Sequence, residues 1–237
     1  MCSPAAEIQA RIPSAGRAWA LALVALALWA AWAGDPGGLA QLHSDWARAH
    51  RQALRVFTDW ALYPAYVFFP ALILWGGLRR DRALRLVGWS WVLAELAGAA
   101  LTVRILKILT GHGRPNAGDA AGGWFGPSLD SALNSMPSGH SADIFTSAVL
   151  LCLLLPRPWM RLAAMFWALA VALSRVALGK HWPMDVVAGA AVGGLWALIV
   201  AESWLAPRLR RLECASAGSV AAGAAQAPGA ARPKGTG

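Results

Sequence analysis

Charged side chains are scarce in this 237-residue sequence: Asp, Glu, Lys and Arg make up 14% of it, against 57% hydrophobic residues. The mean hydropathy of +0.47 is far above that of an ordinary soluble domain of this length. The composition therefore excludes a water-exposed surface of the usual kind. Because the apolar residues occur in blocks with short basic or Gly/Pro-rich connections, one helical membrane domain is the simplest architecture.

Cysteine is also rare, and the three cysteines, Cys2, Cys152 and Cys214, are far apart in the chain. This spacing excludes a disulfide framework and a cysteine metal cluster. The net charge of +9 comes from residues at the ends of apolar blocks, with no basic face carrying interleaved aromatics. We therefore expect no nucleic-acid partner, and we infer no obligatory protein partner.

Apolar segments long enough to cross a bilayer occur six times, given a need of about 20 residues per helix. The fold class expected is all-α, a polytopic six-transmembrane-helix bundle. The first segment has basic residues before it and could also be a cleaved signal peptide, but a retained span is favoured because the later segments commit the chain to the membrane. The predicted spans are residues 18–34, 57–78, 84–103, 139–155, 162–178 and 184–206.

Basic residues indicate the orientation of these spans. Thirteen of the 21 Lys and Arg fall on the side that holds both termini, and eight fall on the other side. The positive-inside rule then places both termini in the cytoplasm and the longer loops on the outer, periplasmic face, although Arg48, Arg51 and Arg55 oppose this assignment. Short loops and the lack of targeting signals favour a bacterial inner membrane.

The domain boundaries follow from these spans. Residues 1–17 are predicted to form a cytoplasmic N-terminal segment and residues 18–212 the membrane domain. Residues 213–237 are rich in Ala, Gly, Ser and Pro without an apolar stripe, which predicts a disordered cytoplasmic tail. The Gly/Ser-rich residues 116–136 lack helical periodicity and are interpreted as an exposed loop that could cover a site.

Three polar motifs interrupt the apolar chain, and all three fall on the predicted outer face. Their members are Lys107 with Arg114 and Pro115; Pro137, Ser138, Gly139 and His140; and Ser174, Arg175, His181 and Asp185. Guanidinium groups match phosphate oxygens in pairs, and an ammonium adds a point charge, so Lys107, Arg114 and Arg175 suit a phosphate ester. Ser138 and Gly139 precede a helix whose first N–H groups add an anion cradle.

Two histidines supply the remaining chemistry. On a helix, the four-residue spacing of His181 and Asp185 puts both side chains on one face, so the carboxylate orients one ring nitrogen and leaves the other for attack on phosphorus. His181 is therefore the predicted nucleophile and Asp185 its orienting carboxylate. His140, beside the cradle, is the predicted general acid. The scheme requires no metal and no cofactor.

Together the motifs K-x6-R-P, P-S-G-H and S-R-x5-H-x3-D resemble the three signatures of the type 2 phosphatidic acid phosphatase superfamily. The resemblance covers roughly residues 100 to 190 by motif. It implies a six-helix bundle with the site at the outer face, a phosphohistidine at His181 oriented by Asp185, and His140 as acid. It also implies phosphate binding by Lys107, Arg114, Ser138, Gly139 and Arg175.

The expected function is hydrolysis of a phosphomonoester or pyrophosphate on a membrane lipid. Substrates typical of the resembling family are phosphatidic acid, phosphatidylglycerol phosphate, undecaprenyl pyrophosphate and lipid A phosphates. Two alternatives remain open, namely phosphotransfer to another acceptor and a non-catalytic phosphate-lipid binder or transporter. A haloperoxidase, found elsewhere in that superfamily, is disfavoured by the six apolar spans.

Some polar residues lie outside this scheme. Asp59 and Glu95 lie within apolar segments, where a charge is costly unless it faces the bundle interior or a wet cavity; functional and structural roles are equally compatible with that position. His43, His50 and His112 have no partner at a ligand-like spacing and are expected to be solvated.

Overall fold

The computed structural model describes residues 4–33 and 45–225. These residues form helices joined by turns and loops, and apart from one isolated bridge between His112 and Trp124 no β-structure occurs among them. The helices are α1 (Pro4–Ala33), α2 (Asp45–Ala49), α3 (Arg51–Trp60), α4 (Tyr63–Leu78), α5 (Arg82–Glu95), α6 (Val103–Thr110), α7 (Gly139–Leu154), α8 (Pro158–Ala177), α9 (Pro183–Val200) and α10 (Ala206–Ala225). Two π-helical segments, Leu96–Thr102 and Ala201–Leu205, join α5 to α6 and α9 to α10.

The all-helical fold class is confirmed. Within residues 4–33 and 45–225, four helical stretches are long and apolar enough to cross a membrane: Ala6–Trp32, Arg51–Leu78, Pro158–Ala177 and Pro183–Ala215. The predicted fourth span corresponds to a shorter apolar helix, Gly139–Leu154, and the predicted third span is helical throughout. The count of six crossings therefore stays a prediction.

Large apolar side chains cover the outside of the bundle. Leu21, Leu74 and Phe166 are each 70% exposed. A soluble protein rarely leaves contiguous apolar surface of this extent in water, whereas hydrocarbon solvates it well. The exposed apolar surface and the four long helices together define an integral membrane protein.

Helix α7 lies at the centre of the bundle and packs most extensively against α9. Two glycines of α9 make this approach possible. A Cβ atom at Gly193 would lie 1.9 Å from the carbonyl oxygen of Ala142, and one at Gly189 would lie 2.3 Å from the carbonyl oxygen of Ser138. Small residues thus bring two backbones into contact, as is common between membrane helices.

Glu95 faces the bundle interior, where it belongs to a polar cluster between α4, α5 and α7. The Ser147 hydroxyl donates to Glu95 at 3.4 Å and accepts from the Trp91 indole N–H at 2.8 Å. The carboxyl group of Asp143, in the same cluster, accepts from the Tyr66 hydroxyl. These contacts give a buried polar group the partners that hydrocarbon cannot supply.

Both ends of the described chain are more helical than composition predicts. Helix α1 begins at Pro4, so most of the predicted N-terminal segment continues the first span. Helix α10 runs to Ala225, and residues 213–225 are therefore helical where disorder is expected, because alanine favours a helix that is already nucleated. Residues 226–237 of the predicted tail lie outside the described residues.

Candidate active site

The three polar motifs meet at one end of the bundle. Lys107 lies in the last turn of α6, Ser138 caps the start of α7, and Arg175 lies in the last turn of α8. Helix α9 begins at the same end, two residues after His181. Helices α6 and α8 end here and helices α7 and α9 begin here. Residues as far apart in the sequence as Lys107 and Asp185, 78 positions, therefore meet at this end.

Lys107 and Arg114 are both held against the loop that precedes α7. The Lys107 ammonium donates to the carbonyl oxygens of Asn134 at 2.7 Å and Ser135 at 3.2 Å. The Arg114 guanidinium donates to the carbonyl oxygens of Ser131 at 2.9 Å and Asn134 at 3.3 Å. Because the Asn134 carbonyl accepts from both side chains, two positive charges are fixed close together.

The start of α7 has the features of an anion cradle. The buried Ser138 hydroxyl caps the helix by accepting from the Ser141 hydroxyl at 3.0 Å and the Ser141 N–H at 3.4 Å. The Ser138 N–H donates to the carbonyl oxygen of Asp185 at 2.8 Å, which joins α7 to α9. A Cβ at Gly139 would meet only Val103, at 4.0 Å, so packing within the protein leaves open space there.

His181 and Asp185 are adjacent, as predicted, but a helix cap brings them together. His181 precedes α9, and Asp185 is the third residue of that helix. The Asp185 carboxylate turns back to accept from the Trp182 N–H at 2.9 Å and lies 3.5 Å from the His181 Nδ1. The prediction that the two side chains share one face of a helix is therefore wrong, because the helix starts after the histidine.

Two further side chains hold Asp185 that the sequence did not indicate. His112 Nδ1 lies 3.0 Å from one carboxylate oxygen, and the Ser135 hydroxyl donates to the other. The Ser135 hydroxyl is also 3.4 Å from the His181 Nδ1. The expectation of a solvated His112 is wrong: this side chain is buried because loop closure brings it to α9. His50 is exposed at the start of α3, and His43 lies outside the described residues.

The only sequence signal for these two residues is their position beside known motifs. His112 stands two residues before Arg114, and Ser135 stands two before Pro137. The His112 ring also stacks on the Trp124 indole, with centroids 4.3 Å apart. Trp182 donates from its indole N–H to the Gly113 carbonyl at 2.7 Å. The loop of residues 116–136 therefore packs over the carboxylate side of the site.

Arg175 approaches the site from α8 and contacts α3. Its guanidinium donates to the Thr58 hydroxyl at 3.4 Å and lies 3.9 Å from the Asp59 carboxylate. Its Nε is buried and has no hydrogen-bond partner within residues 4–33 and 45–225. Asp59, whose role the sequence left open, thus pairs with a predicted phosphate ligand.

The His140 imidazole is partly buried at the first turn of α7. Arg175, Asp59 and Lys107 are the charged groups close enough to act on it electrostatically. It forms no hydrogen bond to any side chain or backbone group in the described part of the chain. The ring is therefore available to an incoming ligand.

Burial and the neighbouring cations change the acid–base properties of the site. Burial lowers the pKa of His181 to about 4 despite the hydrogen bond that its ring donates to Asp185, which opposes the shift. Burial also lowers the pKa of Lys107 to about 8, and the positive charge of Arg114 contributes. The pKa of Arg114 is lowered by burial as well. His181 is thus neutral, as a nucleophile must be, at all but acidic pH.

Helix packing, apolar surface and this cluster define an integral membrane protein with a basic, histidine-containing site at one end of its bundle. The model of the PAP2 superfamily matches residues 88–207, which is half of the sequence and includes all three motifs. The chain belongs to the PAP2 superfamily, and the resemblance inferred from the motifs is confirmed.

Several characterised proteins are similar to part of the chain. The lipid A 1-phosphatase of Rhizobium etli is 34% identical over 119 residues, which are 48% of this chain and 50% of that protein. The undecaprenyl-diphosphatase of Sulfolobus acidocaldarius is 46% identical over 59 residues, 25% of this chain and 28% of that protein. Phosphatidylglycerophosphatase B of Escherichia coli K12 is 38% identical over 78 residues, 32% of this chain and 30% of that protein.

The chain spans half the length or less of these relatives. No solved structure matches it.

Proposed function

We propose that this protein hydrolyses a phosphomonoester or pyrophosphate on a membrane lipid through a phosphohistidine at His181. The observation that carries the proposal is the arrangement at Asp185. The carboxylate lies against the Nδ1 of a buried, neutral His181, which leaves the Nε2 of that ring for attack. The cationic side chains of Lys107, Arg114 and Arg175 surround the space beside this ring.

The cationic groups are arranged to hold a phosphoryl group. The Arg175 Nε is a buried donor that lacks a partner among the described residues, and such a donor is costly unless a ligand satisfies it. Lys107 and Arg114 add two charges, and Gly139 leaves space beside the first N–H groups of α7. A tetrahedral phosphate dianion is the ligand whose charge and acceptor oxygens suit these donors.

The reaction then has two steps. In the first, Nε2 of His181 forms a bond to phosphorus while the bond from phosphorus to the lipid oxygen breaks, and His140 donates a proton to the leaving oxygen. In the second, His140 takes a proton from water, the water oxygen bonds to phosphorus, and the bond to His181 breaks. Inorganic phosphate leaves and the enzyme returns to its starting protonation state.

We propose that this chemistry needs no metal ion. Lys107, Arg114 and Arg175 supply the positive charge that stabilises the transition state in place of a divalent cation. Activity in excess EDTA should equal activity in its absence, and loss of activity that magnesium restores would contradict the scheme. Vanadate, which adopts the five-coordinate geometry of the transition state, should inhibit at low concentration.

A lipid is the proposed substrate because the site lies at the end of a bundle whose sides are apolar. The relatives named as phosphatases of lipid A, undecaprenyl diphosphate and phosphatidylglycerophosphate support a lipid phosphate without selecting one. We further propose six crossings, with both termini cytoplasmic and the site on the periplasmic face of a bacterial inner membrane. The distribution of Lys and Arg supports this orientation.

The decisive experiment measures phosphate release by purified protein in detergent. The lipids tested are phosphatidic acid, phosphatidylglycerol phosphate, undecaprenyl pyrophosphate and lipid A. Wild type should release phosphate from at least one lipid, and His181→Ala should release none above background. His50→Ala is the matched control, because this exposed histidine lies outside the site, and it should retain wild-type activity.

The remaining outcomes separate the alternative functions. Formation of phosphohistidine without phosphate release, together with labelling of a second lipid, would indicate a phosphotransferase. Lipid binding by wild type with no turnover on any substrate would indicate a binder or transporter. Full activity of His181→Ala would refute the assigned nucleophile.

A further inference from the structure

A second basic site lies at the end of the bundle opposite the catalytic cluster. There a cavity of about 340 Å³ opens between the first turns of α5 and the first turns of α10. Helix α5 begins at this end, and the chain continues from it through α6 to Lys107 at the catalytic end. Helix α9 begins at the catalytic end, and α10 follows it at the cavity end. The lining residues are Arg82, Arg85, Leu86, Trp89, Arg208, Arg211 and Leu212.

Four arginine side chains line this cavity. None of the four forms an ion pair with a carboxylate in residues 4–33 or 45–225. Arg208 stacks on the Trp204 indole at 4.4 Å and donates to the Trp204 carbonyl. The nearby Asp81 is already used, because its carboxylate caps α5. Four like charges around one space repel each other and favour an anion between them.

Two other arginines at this end of the bundle, Arg11 and Arg161, have structural partners. Arg11 donates to the carbonyl oxygens of Leu153 and Leu154, the last residues of α7. Arg161 donates to the Leu155 carbonyl at 2.9 Å and to the Ser14 hydroxyl at 2.7 Å. These two residues donate to carbonyl groups at the end of α7, whereas among the cavity arginines only Arg208 has a carbonyl acceptor in the described residues, and that acceptor lies one turn back in its own helical segment. The contrast separates arginines that stabilise the fold from arginines available to a ligand.

We propose that this cavity binds the phosphate headgroup of an anionic phospholipid in the adjacent membrane leaflet. Guanidinium groups bind phosphate in bidentate fashion, and basic pockets between membrane helices are recurrent headgroup sites. Leu86, Leu212 and the half-exposed Trp89 form apolar walls that suit the glycerol and the first part of the acyl chains. A freely diffusing phosphate would gain nothing from these walls, and so a lipid is the favoured occupant.

The test uses delipidated protein in dodecyl maltoside. Phosphatidylglycerol is the probe, because it is a phosphodiester and does not report on hydrolysis at the catalytic site. Its saturating addition should raise the Tm by about 5 °C, as expected for a ligand present at many times its Kd. Phosphatidylcholine is the comparison arm and should shift the Tm by no more than about a fifth as much. Inorganic phosphate is tested as well; because it also binds the catalytic cluster, only the part of its shift that a cavity variant removes counts as binding at the cavity.

Two matched variants locate the binding. Arg85→Gln/Arg211→Gln removes two guanidinium groups from the cavity and should abolish the shift caused by phosphatidylglycerol. Arg157→Gln/Arg210→Gln removes the same charge from exposed positions at the same end, outside the cavity, and should keep it. Phosphate release should remain at the wild-type level in both, because neither pair belongs to the catalytic cluster.

Three results would overturn the proposal. Equal loss of the shift in both variants would mean diffuse attraction to surface charge, and an undiminished shift in the cavity variant would mean binding elsewhere. A shift caused by inorganic phosphate that Arg85→Gln/Arg211→Gln abolishes would identify a soluble anion as the ligand of the cavity. If the cavity variant does not fold, Arg85→Lys/Arg211→Lys replaces it; this variant keeps the charges but not the bidentate geometry and should weaken lipid binding about tenfold.

Discussion

At the residue scale, Asp185 organises the candidate site. Its two oxygens contact His181, His112, Ser135 and the Trp182 N–H, so the carboxylate is fixed on every side. A carboxylate held this firmly keeps the His181 ring in one orientation, which is a positioning role. His112 then acts on the reaction through Asp185 and not by touching the phosphate.

Replacing His112 tests this role. His112→Ala removes a hydrogen bond to a charged group, worth about 1.5–3 kcal/mol, and should lower kcat about 10- to 100-fold with little change in KM. His112→Asn restores a donor near the position of Nδ1 and should recover most of the loss. A raised KM with unchanged kcat, or no rescue by asparagine, would contradict a positioning role.

The lowered pKa of Lys107 predicts how phosphate binding depends on pH. A lysine with a pKa of about 8 loses its charge above that pH, so the Ki for inorganic phosphate should rise roughly tenfold for each pH unit above 8. Lys107→Arg keeps its charge throughout and should give a Ki that is flat from pH 7.5 to 9.5. Parallel profiles for the two proteins would exclude Lys107 as the titrating group.

At the element scale, the contact between α7 and α9 positions the site. Helix α7 carries Ser138 and His140 at its start, and α9 carries Asp185 in its first turn. The two helices meet backbone to backbone at Gly189 and Gly193. Any increase in their separation would move the anion cradle away from the nucleophile.

A glycine substitution measures how closely these helices must approach. Gly193→Ala places a Cβ against a backbone oxygen that cannot rotate away, and overpacking of this kind costs about 1–3 kcal/mol. The Tm should fall by roughly 3–10 °C and activity should fall with it. Gly77→Ala is the control, since a Cβ there meets no atom within 4 Å, and its Tm should stay the same or rise slightly.

At the scale of the whole molecule, the bundle has two chemically different ends. One end carries the catalytic cluster beneath the loop of residues 116–136, and the other carries the four-arginine cavity. Cysteine accessibility tests which end faces outward. Cys152 is buried, whereas Cys214 on α10 is exposed at the cavity end and Leu129 is 80% exposed at the catalytic end.

The proposed orientation makes a definite labelling prediction. In a Cys2→Ser/Cys214→Ser background, Leu129→Cys should react with a membrane-impermeant maleimide added to intact spheroplasts. Cys214 in a Cys2→Ser background should react only after lysis. The reverse pattern would show that the site faces the cytoplasm, and labelling of both from outside would show that the two ends share one side.

The sequence by itself determined the class of the protein and its family. The hydrophobic content predicts a membrane bundle, because a water-soluble fold of this length does not bury so much apolar surface, and this prediction needs only local composition. The three motifs predicted the family from local sequence too, since each is a short stretch with fixed spacing. The proximity of His181 to Asp185 also followed from a local interval, although a helix cap and not a helical face produces it.

Only the tertiary structure decided which distant residues join the site. Thr58 and Asp59 reach Arg175 from another helix, and His112 and Ser135 reach Asp185 from loops more than 45 residues away. No local pattern records such contacts, because they depend on which helix ends become neighbours once the bundle packs. The convergence of Arg85 and Arg211 at one cavity has the same origin. In the sequence the arginines lie at the ends of several spans, and the packing of α5 against α10 brings four of them to one cavity.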